Sequence, residues 1–330
     1  MFTNLPALVA HADWGSDPKK RWMAFAVRQK DGDYLAHSPK LVGDLNKFIE
    51  CLRVCSGGAT IMIGFDFPIG LPRQYAEKVK VDNFLELLPQ LGEGEWRQFY
   101  CVSEKPDEIN LKRPFYPMRP GGTSHEDLKQ GLEMNITDLR RECEREVRKE
   151  GKLIRRAASP LFWTLGGQQV GKAAIIGWRE VLSPALKKGD VAIWPFSGHL
   201  VDLVKRSGVV ITETYPAEFY THFGEGLLGI GKSKRNQGHR KLGSGLLLSW
   251  AENYHIKLDR DLRENILDGF GPTYNGEDQF DATVGLFGML DVLLSEKPFY
   301  DPEDRIIESV EGWIFGQERI ENIPKVTKER

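Results

Sequence analysis

Residues 60–66 (TIMIGFD) constrain the fold more than any other part of the chain. The run is apolar and rich in β-formers, as is typical of a strand buried on both faces of a sheet. Pro68, Gly70 and Pro72 follow it and prevent the strand from continuing. A helical pattern precedes it, and a strand reached through a helix normally runs parallel to a neighbouring strand. The chain is therefore expected to be an α/β protein with a partly parallel sheet.

The other strand and helix signals predict the rest of this sheet. Strand-like segments occur at residues 7–13, 22–28 and 34–38, with an Asp-Gly-Asp turn between the second and the third. Residues 41–55 place apolar side chains three and four positions apart, which predicts an amphipathic helix. An apolar run at residues 208–213 predicts a fifth strand. The prediction is a mixed sheet of five strands, three antiparallel and then two parallel, flanked by helices.

The middle of the chain, residues 75–207, has a different character, with clustered prolines and glycines and mixed patterns. We expect it to be a large, mostly helical insertion into a single domain whose core comprises residues 1–74 and 208–316. Within the insertion, residues 138–156 are strongly basic and are predicted to form a charged helix.

Composition excludes several classes of protein. The 330 residues include 45 basic and 47 acidic side chains, a net charge of -2, which does not suit a protein that coats nucleic acid by bulk electrostatics. Such a balance is compatible with an enzyme that acts on phosphodiesters. A mean hydropathy of -0.39 and the lack of a long apolar run predict no membrane partner. With no signal-peptide pattern at the start and only four cysteines, we expect a cytoplasmic protein with reduced thiols.

Five carboxylates are the candidate catalytic residues. Asp13, Asp66 and Glu213 each stand where an apolar strand is predicted to end, and parallel strand ends line a common crevice. Asp278 and Asp281 are three residues apart at the start of the last predicted helix, so they share a face. Carboxylates brought together need cations, and hard oxygen ligands select Mg²⁺ or Mn²⁺. The alternative is that each is a turn former or a helix cap.

Several short motifs, in their order along the chain, resemble a known group of proteins. They are HADWG at 11–15, GFDFPIGLP at 64–72, ETYPA at 213–217, DQFDA at 278–282 and EGWIFG at 311–316. Together they resemble the RuvC-like branch of the RNase H-like fold, and more closely an uncharacterised bacterial family described as predicted RNase H-like nucleases. The long middle insertion departs from that family.

The resemblance implies a metal-dependent nuclease that hydrolyses phosphodiester bonds, with the five carboxylates at matching positions. Asp13 would bridge two Mg²⁺ or Mn²⁺ ions, and Asp66 and Asp281 would complete the metal ligands. Glu213 and Asp278 would serve as an outer ligand or as a base that orients water.

A nucleic-acid substrate of unknown type is the expected partner. A tryptophan next to the first carboxylate is a candidate for stacking on a base, and two basic regions are candidates for contacting phosphates. These candidates are Trp14, Arg113, Arg119, Lys232, Lys234, Arg235 and Arg240. The alternative interpretation of the basic runs is that they are solvated faces.

Two other functions remain open from the sequence. Residues 166–172 have the spacing of a phosphate-binding loop, but Ala173 stands where the metal-binding hydroxyl is needed, which disfavours a nucleotide site there. An ATP-binding phosphotransferase or ATPase of the actin and sugar-kinase type would use residues 13–16 (DWGS) as a phosphate hairpin, although only one such core is present. The third possibility is a non-catalytic binding module on a degenerate fold.

Overall fold

The computed structural model describes residues 4–165, 170–189, 191–206, 208–224, 227–229, 231–295 and 299–320. The chain divides into two compact units. The first comprises Met1–Phe67, Lys188–Asp301 and Ile314–Gly316, and the second comprises Pro68–Lys187, Pro302–Trp313 and Gln317–Arg330. The predicted insertion runs from residue 75 to residue 207. The main segment of the second unit, Pro68–Lys187, begins and ends earlier than this, and two later segments of the chain also belong to the unit. Residues 166–169, which begin the segment with the spacing of a phosphate-binding loop, lie outside the described residues.

The described chain contains nine strands and twelve α-helices. The strands are β1 (Leu8–Asp13), β2 (Trp22–Arg28), β3 (Tyr34–Leu41), β4 (Ile61–Phe65), β5 (Val147–Lys149), β6 (Lys152–Arg155), β7 (Val191–Ile193), β8 (Val209–Glu213) and β9 (Lys257–Leu258). The α-helices are α1 (Leu45–Cys55), α2 (Arg73–Val79), α3 (Phe84–Leu87), α4 (His125–Leu132), α5 (Val170–Gly177), α6 (Ser183–Lys188), α7 (Leu200–Lys205), α8 (Pro216–Phe219), α9 (Gln237–Leu242), α10 (Ser244–Asn253), α11 (Arg260–Asp268) and α12 (Asn275–Leu294).

The first unit is built on a mixed sheet of seven strands in the order β7-β8-β4-β1-β2-β3-β9. β1 pairs antiparallel with β2, and β2 with β3, whereas β4, β8 and β7 continue the sheet in the direction of β1. β9 pairs parallel with β3 at the other edge. The α/β class is as predicted, but the predicted number of five strands is wrong. The added strands β7 and β9 have three and two residues, too few for any periodicity to be visible in the sequence.

Helix α12 packs against β1 and β2, and its apolar and small side chains are buried along most of its length. Two glycines permit the close approach. A Cβ atom at Gly285 would lie 2.3 Å from the ring of His11, and one at Gly288 would lie 2.1 Å from the ring of Phe219. The helix thus comes close enough to bring its first turns to the end of β1. No described helix, α12 included, is long and apolar enough to cross a membrane.

The sequence leaves open whether His11 is a partner of Asp13 or only a strand residue. The structure buries His11 completely, under α12. Burial lowers the pKa of its imidazole to about 3, so the ring is neutral at physiological pH.

This burial predicts a loss of stability in mild acid. Between about pH 3 and 6.5 the unfolded chain binds a proton at His11 that the folded chain does not, so stability falls as pH falls through that range. From pH 7 to pH 5 the wild type should lose about 2 kcal/mol more unfolding free energy than the His11→Asn variant. Urea unfolding in a metal-free buffer measures this difference, and parallel pH profiles of the two proteins would contradict the assignment.

The second unit has its own aromatic core and a buried ion pair. Trp178 contacts the rings of Phe84 and Phe99, with centroids 5.0 and 6.3 Å apart. Arg141 is fully buried and pairs with Glu144 at 2.8 Å. Removal of either partner would be strongly destabilising, because it would leave an uncompensated charge in the interior.

The predicted basic helix at residues 138–156 is wrong. The segment forms a 3₁₀ turn at Glu142–Glu144, followed by the hairpin of β5 and β6. Glu150 and Gly151 between these strands have φ values of 53° and 81°. This left-handed conformation turns the chain back and interrupts any helix.

Candidate active site

The site lies where β1 and β4 end side by side. Asp13 is the last residue of β1, and Asp66 directly follows β4, which is parallel to β1. The backbone N–H of Asp66 donates to the carbonyl of Ala12 over 3.1 Å, which fixes the two aspartates next to each other. The two carboxyl groups lie close enough for each to affect the pKa of the other. Both are only partly exposed to solvent.

Helix α12 contributes two more carboxylates from its first turns. Asp281 is only 2% exposed, and its Oδ1 accepts a hydrogen bond of 2.7 Å from the hydroxyl of Tyr220. Asp278 lies one turn earlier and is half-buried, and its buried Oδ2 has no hydrogen-bond partner among the described residues. The helix begins at Asn275, three residues before Asp278, so this aspartate is not the helix cap.

The carboxyl groups of this site resist ionisation, chiefly because they are buried. Burial raises the pKa of Asp13 well above its ordinary value, and the nearby charges of Asp281 and Asp66 raise it further. Burial also raises the pKa of Asp66 to about 7 and that of Asp278 to about 6, and it raises the pKa of Asp281. Acids that resist ionisation in this way favour a bound cation.

Glu213, at the end of β8, is the fifth predicted carboxylate. It is the last residue of β8 and is 4% exposed, and its charge contributes to the raised pKa of Asp66. Its backbone carbonyl accepts a 2.9 Å hydrogen bond from the N–H of Phe315. All five predicted carboxylates thus belong to the first unit, and Glu213 is linked to the others through Asp66.

Lys234 is the basic residue that enters the site. Its Nζ forms an ion pair with Oδ2 of Asp281 and lies 3.4 Å from Oε1 of Glu277. Burial lowers the pKa of Lys234, but the neighbouring carboxylates, Asp281 first, outweigh this effect and leave the pKa above its ordinary value. The lysine is therefore charged, and its ammonium is paired with the acidic group.

Arg240 has a structural position that the sequence did not indicate. It is 2% exposed and donates hydrogen bonds to the backbone carbonyls of Lys234, Gly269 and Gly271. This arginine holds the Lys234 loop against the residues that precede α12. Its side chain is used within the fold and is not presented to a substrate.

Trp14 is also a core residue. Its ring is 6% exposed and packs against Phe65 and Phe67, with centroids 5.3 and 5.4 Å apart. Arg21 lies over the same ring at 5.0 Å, so no face remains open for a base. The exposed aromatic side chains of this unit include Tyr215 and Tyr274, at 41% and 67%.

The remaining basic candidates differ in exposure and location. Arg235 is 78% exposed and lies 3.7 Å from Glu277, whereas Lys232 is partly buried at the start of the same loop. Arg113 and Arg119 belong to the second unit. Arg113 donates to the carbonyls of Cys101 and Val102, and the Arg119 side chain is 81% exposed, 3.8 Å from Glu104.

Comparisons with protein-family models, curated proteins and solved structures find no match to this chain. The resemblance to RNase H-like nucleases therefore remains a prediction from the motifs.

The site offers carboxylate oxygens, which are the ligands that a hard divalent cation prefers. The neighbouring carboxyl groups of Asp13 and Asp66 have raised pKa values, and a bound cation would favour their ionised forms. The unpartnered Oδ2 of Asp278 fits the same interpretation. In the described parts of the chain, however, no three His, Cys, Asp or Glu side chains are already arranged to hold a metal ion. Both oxygens of Asp281 are engaged, one by Tyr220 and one by Lys234.

Lys234 and Tyr220 are the site residues whose roles sequence reasoning missed. Lys234 is in a basic run that suggested contact with phosphate, and nothing in the local pattern points to Asp281, which is 47 residues away. Tyr220 follows α8, in a segment with no catalytic motif. Only the packing of α12 brings these side chains together.

Proposed function

We propose that this protein is a metal-dependent nuclease that hydrolyses phosphodiester bonds at the carboxylate group of Asp13, Asp66 and Asp281. The observation that carries the proposal is that Asp13 and Asp66, at adjacent strand ends, meet Asp281 of α12, and that burial raises the pKa of all three carboxyl groups. The directions of β1, β2, β3, β4 and β8 support the RNase H-like sheet that the motifs imply.

Asp13 and Asp66 would hold a Mg²⁺ or Mn²⁺ ion through their adjacent carboxylates. When bound, such an ion lowers the pKa of water and stabilises the charge that develops on the phosphate. The charge of Glu213 acts on Asp66, and this added negative charge favours retention of a cation.

Asp278 is suited to accept the proton of the attacking water. Its Oδ2 has no hydrogen-bond partner among the described residues, and its pKa of about 6 leaves it mostly ionised, yet basic, near neutral pH. Hydrolysis forms a bond from the water oxygen to phosphorus and breaks the bond to the leaving oxygen. The water proton passes to Asp278, and the leaving oxygen departs with the bonding electrons and takes a proton from solvent.

A nucleic-acid strand is the substrate class that the rim of the site favours. Lys20 is exposed, close enough to Asp278 to lower its pKa, and its Nζ lies 5.5 Å from the ring centre of Tyr274. A cation beside an exposed aromatic ring next to the carboxylates can contact a phosphate while the ring stacks on a base.

The test is a cleavage assay with the full-length protein. Single- and double-stranded DNA, RNA, branched DNA and a small aryl phosphodiester are incubated with Mg²⁺ or Mn²⁺, and with EDTA as the control. We expect cleavage of at least one nucleic acid that requires the metal and stops with EDTA. No cleavage of any substrate with either ion, or cleavage unaffected by EDTA, contradicts the proposal.

A further inference from the structure

Lys234 stands out in the proposed site because it is a cation placed among groups that would otherwise all be metal ligands. Its Nζ contacts Asp281 directly, and its charge also acts on Asp13 and Asp66. The side chain as a whole is 39% exposed, so Lys234 lies at the edge of the acidic group and is not sealed inside it. A permanent positive charge therefore already lies at the acidic centre.

The position of Lys234 is fixed by the fold. The buried guanidinium of Arg240 holds the carbonyl of Lys234, and its other hydrogen bonds, of 2.8 and 2.7 Å, go to the carbonyls of Gly269 and Gly271 just before α12. A Cβ atom at Gly276 would lie 2.5 Å from Arg240, so this contact requires a glycine. Lys234 and Asp281 are thus both anchored to the start of α12.

This arrangement removes Asp281 from the metal ligands. Its Oδ1 accepts from Tyr220, and its Oδ2 is paired with Lys234. The carboxylates that remain, chiefly Asp13 and Asp66, can serve one ion, whereas two closely spaced ions need shared ligands on both sides. The positive charge of the ammonium would also repel a second divalent ion placed beside it.

We infer that the site binds one divalent ion, held by Asp13 and Asp66, and that the ammonium of Lys234 takes the place of the second ion. This inference rests on the proposed metal-dependent hydrolysis and specifies how its charge is supplied. In this role the ammonium would pair with an oxygen of the phosphate at the reacting centre, as the second ion would otherwise do.

Mn²⁺ titration of the full-length protein by calorimetry tests the inference. The wild type is expected to bind one Mn²⁺ per chain. Removing the ammonium in Lys234→Met should admit a second ion, or tighten binding of the first by about tenfold or more, because a like charge has been removed. The matched control is Arg235→Met, which removes an equal charge from the next residue and should bind like the wild type.

Two ions per wild-type chain, or a Lys234→Met variant that binds Mn²⁺ like the wild type, would overturn the inference. An electron paramagnetic resonance spectrum of the wild type with excess Mn²⁺ gives a second reading that needs no variant. Spin-coupled Mn²⁺ pairs would contradict it, and isolated ions would support it. Failure of the proposed function gives a different result. Mn²⁺ would then bind neither the wild type nor Lys234→Met, or the Asp13→Asn variant would bind Mn²⁺ as tightly as the wild type does.

Discussion

Substitution of Asp13 by asparagine is expected to lower the rate of metal-dependent phosphodiester cleavage by about a thousandfold or more. Asparagine keeps the size of the side chain but removes the charge that, with Asp66, would hold the ion. Asp13 is also the carboxylate on which burial and the charges of Asp281 and Asp66 act together. Initial rates with the substrate that is cleaved best, at saturating Mn²⁺, measure the effect.

Two controls separate loss of chemistry from loss of structure. Asp44→Asn makes the same chemical change at the exposed N-cap of α1, where asparagine also caps well, so its activity should equal that of the wild type. Without metal, Asp13→Asn should melt no earlier than the wild type, because it removes a carboxylate that burial and its neighbours already disfavour. An Asp13→Asn protein with wild-type activity would disprove the assigned role.

Adding a methyl group at Gly285 is expected to destabilise the protein by about 3 kcal/mol, since the new Cβ would meet the buried ring of His11. That Cβ would lie 2.3 Å from the ring, and both the strand and the helix at this point are buried. The ring cannot move without displacing α12 from β1. Urea or thermal unfolding of Gly285→Ala, compared with the wild type in metal-free buffer, measures the loss.

Gly245→Ala is the matched control for this change. Gly245 is an exposed residue of α10, and a Cβ atom there meets nothing within 4 Å. Alanine should stabilise the protein there by about 0.5 kcal/mol because it favours the helix. If both variants unfold like the wild type, the close approach of α12 to β1 is not required for stability.

The Gly285→Ala variant should also lose activity, because α12 carries Asp278 and Asp281. A displacement of about 1 Å at a catalytic group can reduce a rate a hundredfold. Stability and activity are thus coupled through one helix–strand contact.

The sequence predicted the centre of the sheet well because β1, β2 and β4 carry strong apolar patterns and clear breakers. It also identified Asp13 and Asp66 as neighbours, since residues at the ends of parallel strands meet. The short edge strands and the hairpin of β5 and β6 are not predicted, because their local patterns are weak or resemble those of a charged helix.

The predicted substrate contacts are less accurate than the predicted sheet, because local sequence does not reveal which side chains are buried. Trp14 and Arg240 appear as surface candidates in the sequence, yet packing places both inside the first unit. Lys234 lies in the same basic run as Arg235, but only Lys234 reaches Asp281. Distinguishing the two requires knowing how α12 and the loop before α9 meet, and no periodicity contains that information.

The edges of the seven-stranded sheet also affect how copies of this protein behave at high concentration. β7 and β9 pair over three and two residues, and beyond β9 the N–H of Ser38 in β3 donates to the carboxylate of Asp259 over 3.2 Å. An approaching strand would find short edges and a donor already used by a charged side chain. The long apolar strands β1, β4 and β8 lie inside the sheet, which protects the folded protein against edge-to-edge aggregation.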